Sequence, residues 1–246
     1  WKNVEAYHIY TIDVGRQLKI GVIGLATKLT PSTTSGDFTN LNFEDYLEVT
    51  QKWNDYLRNE EGVHAVLLLT HFGPKCDKDV EDKMKIGMWD SSSIQRDCDK
   101  TMEIMSFLEQ LKQNNIKIDG VIGGHIHNIA HHWISGIPVI EGSGSDYFNV
   151  LYLPFRNFTN GSIILQNNQI SIEGPVPVCE KLWPNDKNCA YKFNDSSLME
   201  DFVFHEKNIV LDEELSKALK DWNDIIDTKI NTDLFETKVE MKIDNN

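Results

Sequence analysis

The chain has 246 residues, with 24 Lys plus Arg against 38 Asp plus Glu, a formal net charge of −14. That acidic balance argues against a nucleic-acid-binding surface, because phosphate contacts need lysine and arginine in excess. Hydrophobic residues at 40% and charged residues at 25% are ordinary for a packed domain and exclude wholesale disorder. No apolar run approaches the roughly 20 residues of a membrane helix. The chain opens at Trp1 without an initiator Met or a leader pattern, as a mature or trimmed product would.

In chain order, Leu18-Lys-Ile-Gly-Val-Ile-Gly-Leu25 has the pattern of a buried strand ending near a functional loop. A turn-rich stretch follows, including Gly36-Asp37-Phe-Thr-Asn40. Asn42 is placed to cap a helix bearing Phe43, Tyr46, Leu47, Trp53 and Leu57 at helical spacing. The strand Ala65-Val-Leu-Leu-Leu-Thr70 runs directly into His71-Phe-Gly73. Residues 74–97 read as a polar excursion whose Asp77 and Asp79 belong to a solvated charge run. Ile104, Met105, Leu108 and Leu111 mark a second helix, and Ile118-Asp-Gly-Val-Ile-Gly123 is a strand that delivers Gly124-His-Ile-His127. His131 and His132 read as a solvated turn with Trp133 packing inward.

Further strands are expected at Pro138-Val-Ile140 and Phe148-Asn-Val-Leu-Tyr-Leu153. Residues 162–166 and 169–172 read as a hairpin joined through Asn167-Asn168. Leu211, Leu215, Leu219, Trp222, Ile226 and Ile230 line one side of a closing amphipathic helix. Strands alternating with helices through residue 127 imply a βαβ core, and the later strands an antiparallel extension, giving an α/β fold class.

The four cysteines, Cys76, Cys98, Cys179 and Cys189, contain no Cys-x-x-Cys pair. Nearest-neighbour disulfides would be Cys76–Cys98 and Cys179–Cys189; four buried thiols are the alternative. Sequons stand at Asn157, Asn160 and Asn194, where 21 asparagines and 27 serines plus threonines give about two by chance. Together these features favour a secreted, cell-surface or vacuolar/lysosomal lumenal protein.

The chemistry is concentrated where two apolar strands end. Loops at strand C-termini are where α/β sheets place ligands, and glycines admit close backbone approach. His125 and His127, two residues apart behind Gly123-Gly124, can each reach a different ion of a close pair, and His71 ends a neighbouring strand. Neutral imidazole suits divalent transition metals. Gly142-Ser-Gly-Ser145 follows a strand like a phosphate-cradling turn, but it lacks a P-loop lysine and is not Gly-x-Ser-x-Gly.

Gly124-His-Ile-His127 resembles the last signature motif of calcineurin-like metallophosphoesterases, and Leu69-Thr-His71-Phe-Gly73 the single-histidine motif before it. With Leu18–Leu25 upstream and Ile137-Pro-Val-Ile-Glu141 downstream, the order is similar to the 5′-nucleotidase branch over roughly residues 4–155. The resemblance implies part of a four-layer αββα sandwich holding two divalent ions (zinc, manganese or iron). His71 and His125 would ligate one ion and His127 the other. Asn128, Gly142 and Ser143 would border a phosphorylated small molecule such as a nucleotide. The family's Asp-x-His, Gly-Asp-x-x-Asp and Gly-Asn-His-Glu motifs do not occur in this chain. The resemblance therefore places no catalytic residue here and implies a partner, the amino-terminal half of the same domain, with which strand Leu18–Leu25 would pair. Residues 1–205 would be the carboxy-terminal half of the domain, and residues 206–246 a helix and linker. A fragment or split chain of a phosphoester hydrolase is one reading. The rival is an inactive relative acting as a binding or structural module, for which Trp89, Trp133 and Trp183 are candidate surface aromatics.

Overall fold

The computed structural model describes residues 4–76, 87–92, 98–144, 147–183, 198–210 and 212–230. Asp77, Asp79, Ser145, Cys189, Asn194 and Leu211 lie outside them.

A six-stranded sheet in the order β1-β2-β3-β5-β7-β6 organises the chain. Its strands are β1 (Tyr7–Asp13), β2 (Gln17–Leu25), β3 (Ala65–Thr70), β5 (Gly120–Ile122), β6 (Ala130–Ile134) and β7 (Ile137–Glu141). The four central strands are parallel, and β1 and β6 close the edges antiparallel. The short helix α1 (Thr30–Thr33) and then α2 (Tyr46–Asn59) connect β2 to β3; the strand β4 (Gly87–Trp89) and then α3 (Glu103–Gln113) connect β3 to β5.

Side chains alternate across β3. Val66 and Leu68 face a core with Ile23, Leu57, Ile104, Phe107, Leu108, Leu111 and Val121, supplied by β2, β5 and the two helices. Ala65 faces the opposite layer with Leu165, Ile170, Leu151 and Phe155. That second layer holds β8 (Tyr147–Tyr152) and β11 (Ser171–Pro177), in the order β4-β11-β8, and a pair of β9 (Phe155–Asn157) with β10 (Ile163–Leu165). Gly120 lets the layers close, since a Cβ there would lie 2.6 Å from Leu151 Cδ2. Helices, sheet and second sheet make three layers of a mixed α/β fold. The hairpins β12 (Lys181–Leu182) with β13 (Glu200–Asp201), and β14 (Val203–Phe204) with β15 (Lys207–Asn208), precede α4 (Glu213–Ile230). No described helix is long and apolar enough to cross a membrane.

Several expectations are corrected. Strand β2 pairs on both sides within this chain, with β1 and β3, so it offers no free edge to another polypeptide. Helix α2 is capped by Asp45, whose carboxylate accepts from the amides of Leu47 and Glu48, rather than by Asn42. Strand β10 pairs with β9, because Asn167–Gln169 forms a 3₁₀ turn that directs β11 toward β8 and β4. His131 and His132 are buried in β6, not solvated, and Trp183 is buried while Trp89 donates its indole N–H to Gly174 O at 2.8 Å.

Candidate metal centre

Three adjacent parallel strands end together. Thr70 closes β3 and is followed by His71; Ile122 closes β5 and is followed by the loop 123–129; Glu141 closes β7. The His71 amide donates to Leu25 O at 2.9 Å, anchoring it to β2 as well. All three sequence-identified histidines are exposed at this rim.

His71 Nε2 and His125 Nδ1 stand 3.1 Å apart. Nitrogens at that distance share either one proton or one cation. Metal–nitrogen bonds of about 2.0–2.1 Å at octahedral to tetrahedral angles put two ligand atoms about 2.8–3.4 Å apart, so the pair fits one divalent ion. Among the described residues no third His, Cys, Asp or Glu ligand atom joins this pair within 4.8 Å. The one such trio is Cys76, Cys98 and His132, and its two sulfurs are joined in a disulfide. His127 thus stands outside the first pair's coordination distance, where a second ion would be needed to engage it.

The loop that presents these rings is strained. His125 has φ 79° and His127 φ 54°, the left-handed region that disfavours any side chain. Two buried groups hold it. Asn128 turns inward and donates Nδ2 to Cys76 O at 3.0 Å, tying the loop to the Cys76–Cys98 disulfide. Glu141 lies beneath, its Oε1 accepting from the Ile126 amide at 3.1 Å, while the nearby amides of His127 and Asn128 also favour its charged form. Burial pushes the Glu141 carboxyl up to about 7 against the pull of those amides.

Gly142 follows Glu141 and abuts Tyr147 O so closely that a Cβ there would overlap it; Ser143 is half-buried on the same turn. Cys179 is also disulfide-bonded. Asn157 and Asn160 are exposed, and Asn160 Oδ1 accepts from the Ser162 amide and hydroxyl. On the β1–β2–β3 side of the sheet an open hollow of about 490 Å³ is lined by Glu5, His8, Tyr10, Val22, Gly24 and Leu69.

Glu141 closes the Ile137-Pro-Val-Ile-Glu141 segment, to which the sequence alone assigns no task. The available signal was a lone carboxylate ending the apolar run Ile137-Pro-Val-Ile140 at the same rim as the histidines. Asn149 was likewise missed: from β8 its Nδ2 donates to Ala130 O and Glu141 O, bridging β6 and β7.

No family model matches the chain, and no curated protein matches it. Solved structures do. A candidate 5′-nucleotidase of Staphylococcus aureus, in complex with alpha-ketoglutarate, is similar at 16% identity and TM-score 0.45, over 88% of this chain and 34% of that one. A calcineurin-like phosphoesterase of Bacillus subtilis is similar at 20% identity and TM-score 0.45, over 70% and 51%. A Haemophilus influenzae NAD nucleotidase is similar at 16% identity and TM-score 0.35, over 89% and 33%. The chain thus spans between a third and about half of those chains.

Proposed function

We propose that this chain supplies part of a metal-dependent phosphoester hydrolase site of the 5′-nucleotidase type, as a fragment or one chain of a split enzyme. The observation that carries the reading is the His71–His125 nitrogen pair, 3.1 Å apart at the C-terminal ends of adjacent parallel strands. His71 and His125 would hold one divalent ion and His127 would turn toward a second. The ions would supply charge neutralisation at the phosphoryl oxygens and a water of lowered pKa. The chain's own part is to present imidazole nitrogens at the strand-end rim and to leave their exposed side open to a phosphorylated small molecule, with a nucleotide the favoured class. Asn128 would act from beneath the loop, and Gly142 and Ser143 beside it. The remaining ligands and the catalytic groups would come from a polypeptide carrying Asp-x-His, Gly-Asp-x-x-Asp and Gly-Asn-His-Glu. Residues 1–205 would then be the carboxy-terminal half of the domain and residues 206–246 a helix and linker. The Cys76–Cys98 disulfide suits an oxidising compartment, whether secreted, cell-surface or lumenal.

The test is peptide mass spectrometry of the native source material, with a metal count and phosphate release from nucleoside monophosphates. The expected result is that the three motifs are present, with two ions per site and hydrolysis lost in His125→Ala. Less than one ion per chain and no phosphate release would sink the hydrolase. A second reading, an inactive relative with a binding or structural task, is favoured by one observation: no carboxylate joins the histidine pair among the described residues. That reading expects no motif-bearing partner.

A further inference from the structure

We infer that Glu141 is the positioning residue of this site: its buried carboxyl group fixes the loop that carries His125 and His127, and sets that loop against His71. The inference rests on the metal reading of the histidines given above.

Glu141 is 2% exposed although it is a carboxylate at a strand end. Such burial is costly unless hydrogen bonds offset it. The offset comes from one direction, the amide of Ile126, which donates to Glu141 Oε1 at 3.1 Å. His125 and His127, both at positive φ, flank Ile126, so the bond it makes also offsets the strain that aims the two rings.

The second carboxyl oxygen, Oε2, makes no hydrogen bond and is buried. It occupies a notch of bare backbone. A Cβ on Gly73 would overlap Oε2, and one on Gly123 would lie 3.5 Å from it and 3.3 Å from Gly73 Cα. Glu141 is therefore wedged between the segment two residues beyond His71 and the segment two residues before His125. One side chain touches both arms of the ligand pair, by a hydrogen bond on one and by contact on the other. Its backbone is fixed in turn by Asn149, which donates to Glu141 O at 2.8 Å. Held between the two loops, the carboxyl acts as a spacer that sets the His71–His125 separation.

Two variants separate hydrogen bonding from filling space. Glu141→Gln keeps an acceptor in the same volume; Glu141→Leu fills the notch and accepts nothing. In the full chain, Zn²⁺ affinity is measured by competition with a chelator, and hydrogen exchange is followed at the amides of Ile126, His127 and Asn128. The expected result is that Glu141→Leu binds Zn²⁺ about 10–100-fold more weakly, the range for groups that orient metal ligands, and exchanges those three amides faster. Glu141→Gln should restore both to near the wild-type values. Val139→Ala, which loosens the same region without touching the Glu141–Ile126 bond, should change neither selectively. Wild-type affinity and exchange in Glu141→Leu would overturn the inference, as would equal losses in all three variants. If Glu141→Leu does not fold, Gly73→Ala displaces the carboxyl from the opposite side and must weaken Zn²⁺ binding in the same way. If His125→Ala binds Zn²⁺ as the wild type does, the metal reading falls instead. Amide exchange then still decides whether Glu141 holds the loop.

Discussion

Removing the Cys76–Cys98 disulfide, as the paired changes Cys76→Ser and Cys98→Ser, tests how the segment beyond β3 is secured. The bond closes a separation of 22 residues. Loop-closure entropy for that length is about 11 cal/mol/K, or about 3.4 kcal/mol at 25 °C, gained chiefly by restricting the unfolded chain. Cys76 is also the backbone acceptor for Asn128, so the native state stands to lose order in the histidine loop as well. For a domain of this size about 1 kcal/mol moves the melting temperature by about 2–4 °C, so the variant should melt about 7–14 °C lower. Scanning calorimetry on the paired variant and the wild type, without reductant, measures this directly. A melting temperature within about 2 °C of wild type would refute the reasoning, because the closed loop would then restrict nothing in the unfolded chain.

Other outcomes follow from single side chains. The folded state raises the Glu141 carboxyl from 4.5 to about 7, so it favours the protonated form. Its contribution is whole below pH 4.5 and fades as pH rises through about 7, by about 3 kcal/mol; Glu141→Gln should flatten that slope in urea titrations, and an unchanged slope would count against it. Asp45→Ala removes the α2 cap and should cost about 1 kcal/mol. The Lys28 ammonium beside Asp45 holds its carboxyl low, so the loss should be seen at neutral pH and disappear as pH falls through that lowered value. Leu68→Ala should cost about 2–5 kcal/mol because Leu68 is fully buried, whereas Leu69→Ala, at 51% exposed, should cost under about 1 kcal/mol in denaturant melts of this chain. Equal losses for the two leucines would contradict the packing described.

The central strands were legible because burial of every residue but Leu69 goes with an unbroken apolar run over Ala65–Thr70, and the position of the histidines at strand ends was legible because they come after such runs. Strand β1 was not, since its edge position leaves most of Tyr7–Asp13 exposed and its residues mixed. Strand β6 was misread by residue type: His131 and His132 look solvated in sequence, yet the Trp89 ring lies 4.9 Å from His131 and the two imidazoles pack at 4.8 Å. The partner of β10 was misassigned because adjacency in sequence suggested β11, while the 3₁₀ turn at Asn167–Gln169 sends the chain to another layer. The bond and the notch that hold Glu141 are equally non-local. Nothing in Ile137–Glu141 alone says that its last carboxyl will meet an amide 15 residues earlier and a glycine from the loop beyond β3.

Two features of the molecule fall on one side of it. The His71–His125 pair lacks a third ligand among the described residues, and the adjoining β1–β2–β3 face of the sheet leaves a strip that no other described residue covers. On that face Tyr10 and Leu69 are about half exposed, although Leu69 belongs to a central parallel strand whose neighbouring residues are buried. Central strands of parallel sheets are ordinarily covered on both faces. Val22 and Gly24 continue the bare strip from Leu69 toward His8 and Tyr10. The coincidence supports the proposal of a shared site: a polypeptide seated on this strip would bury Leu69 and bring its own donors within reach of His71 and His125. On that account Leu69→Ala, nearly silent in the isolated chain, should weaken metal retention and phosphate release once the partner is present. A Leu69 variant that stays silent in the native particle would separate the two features and leave the bare strip unrelated to the histidines.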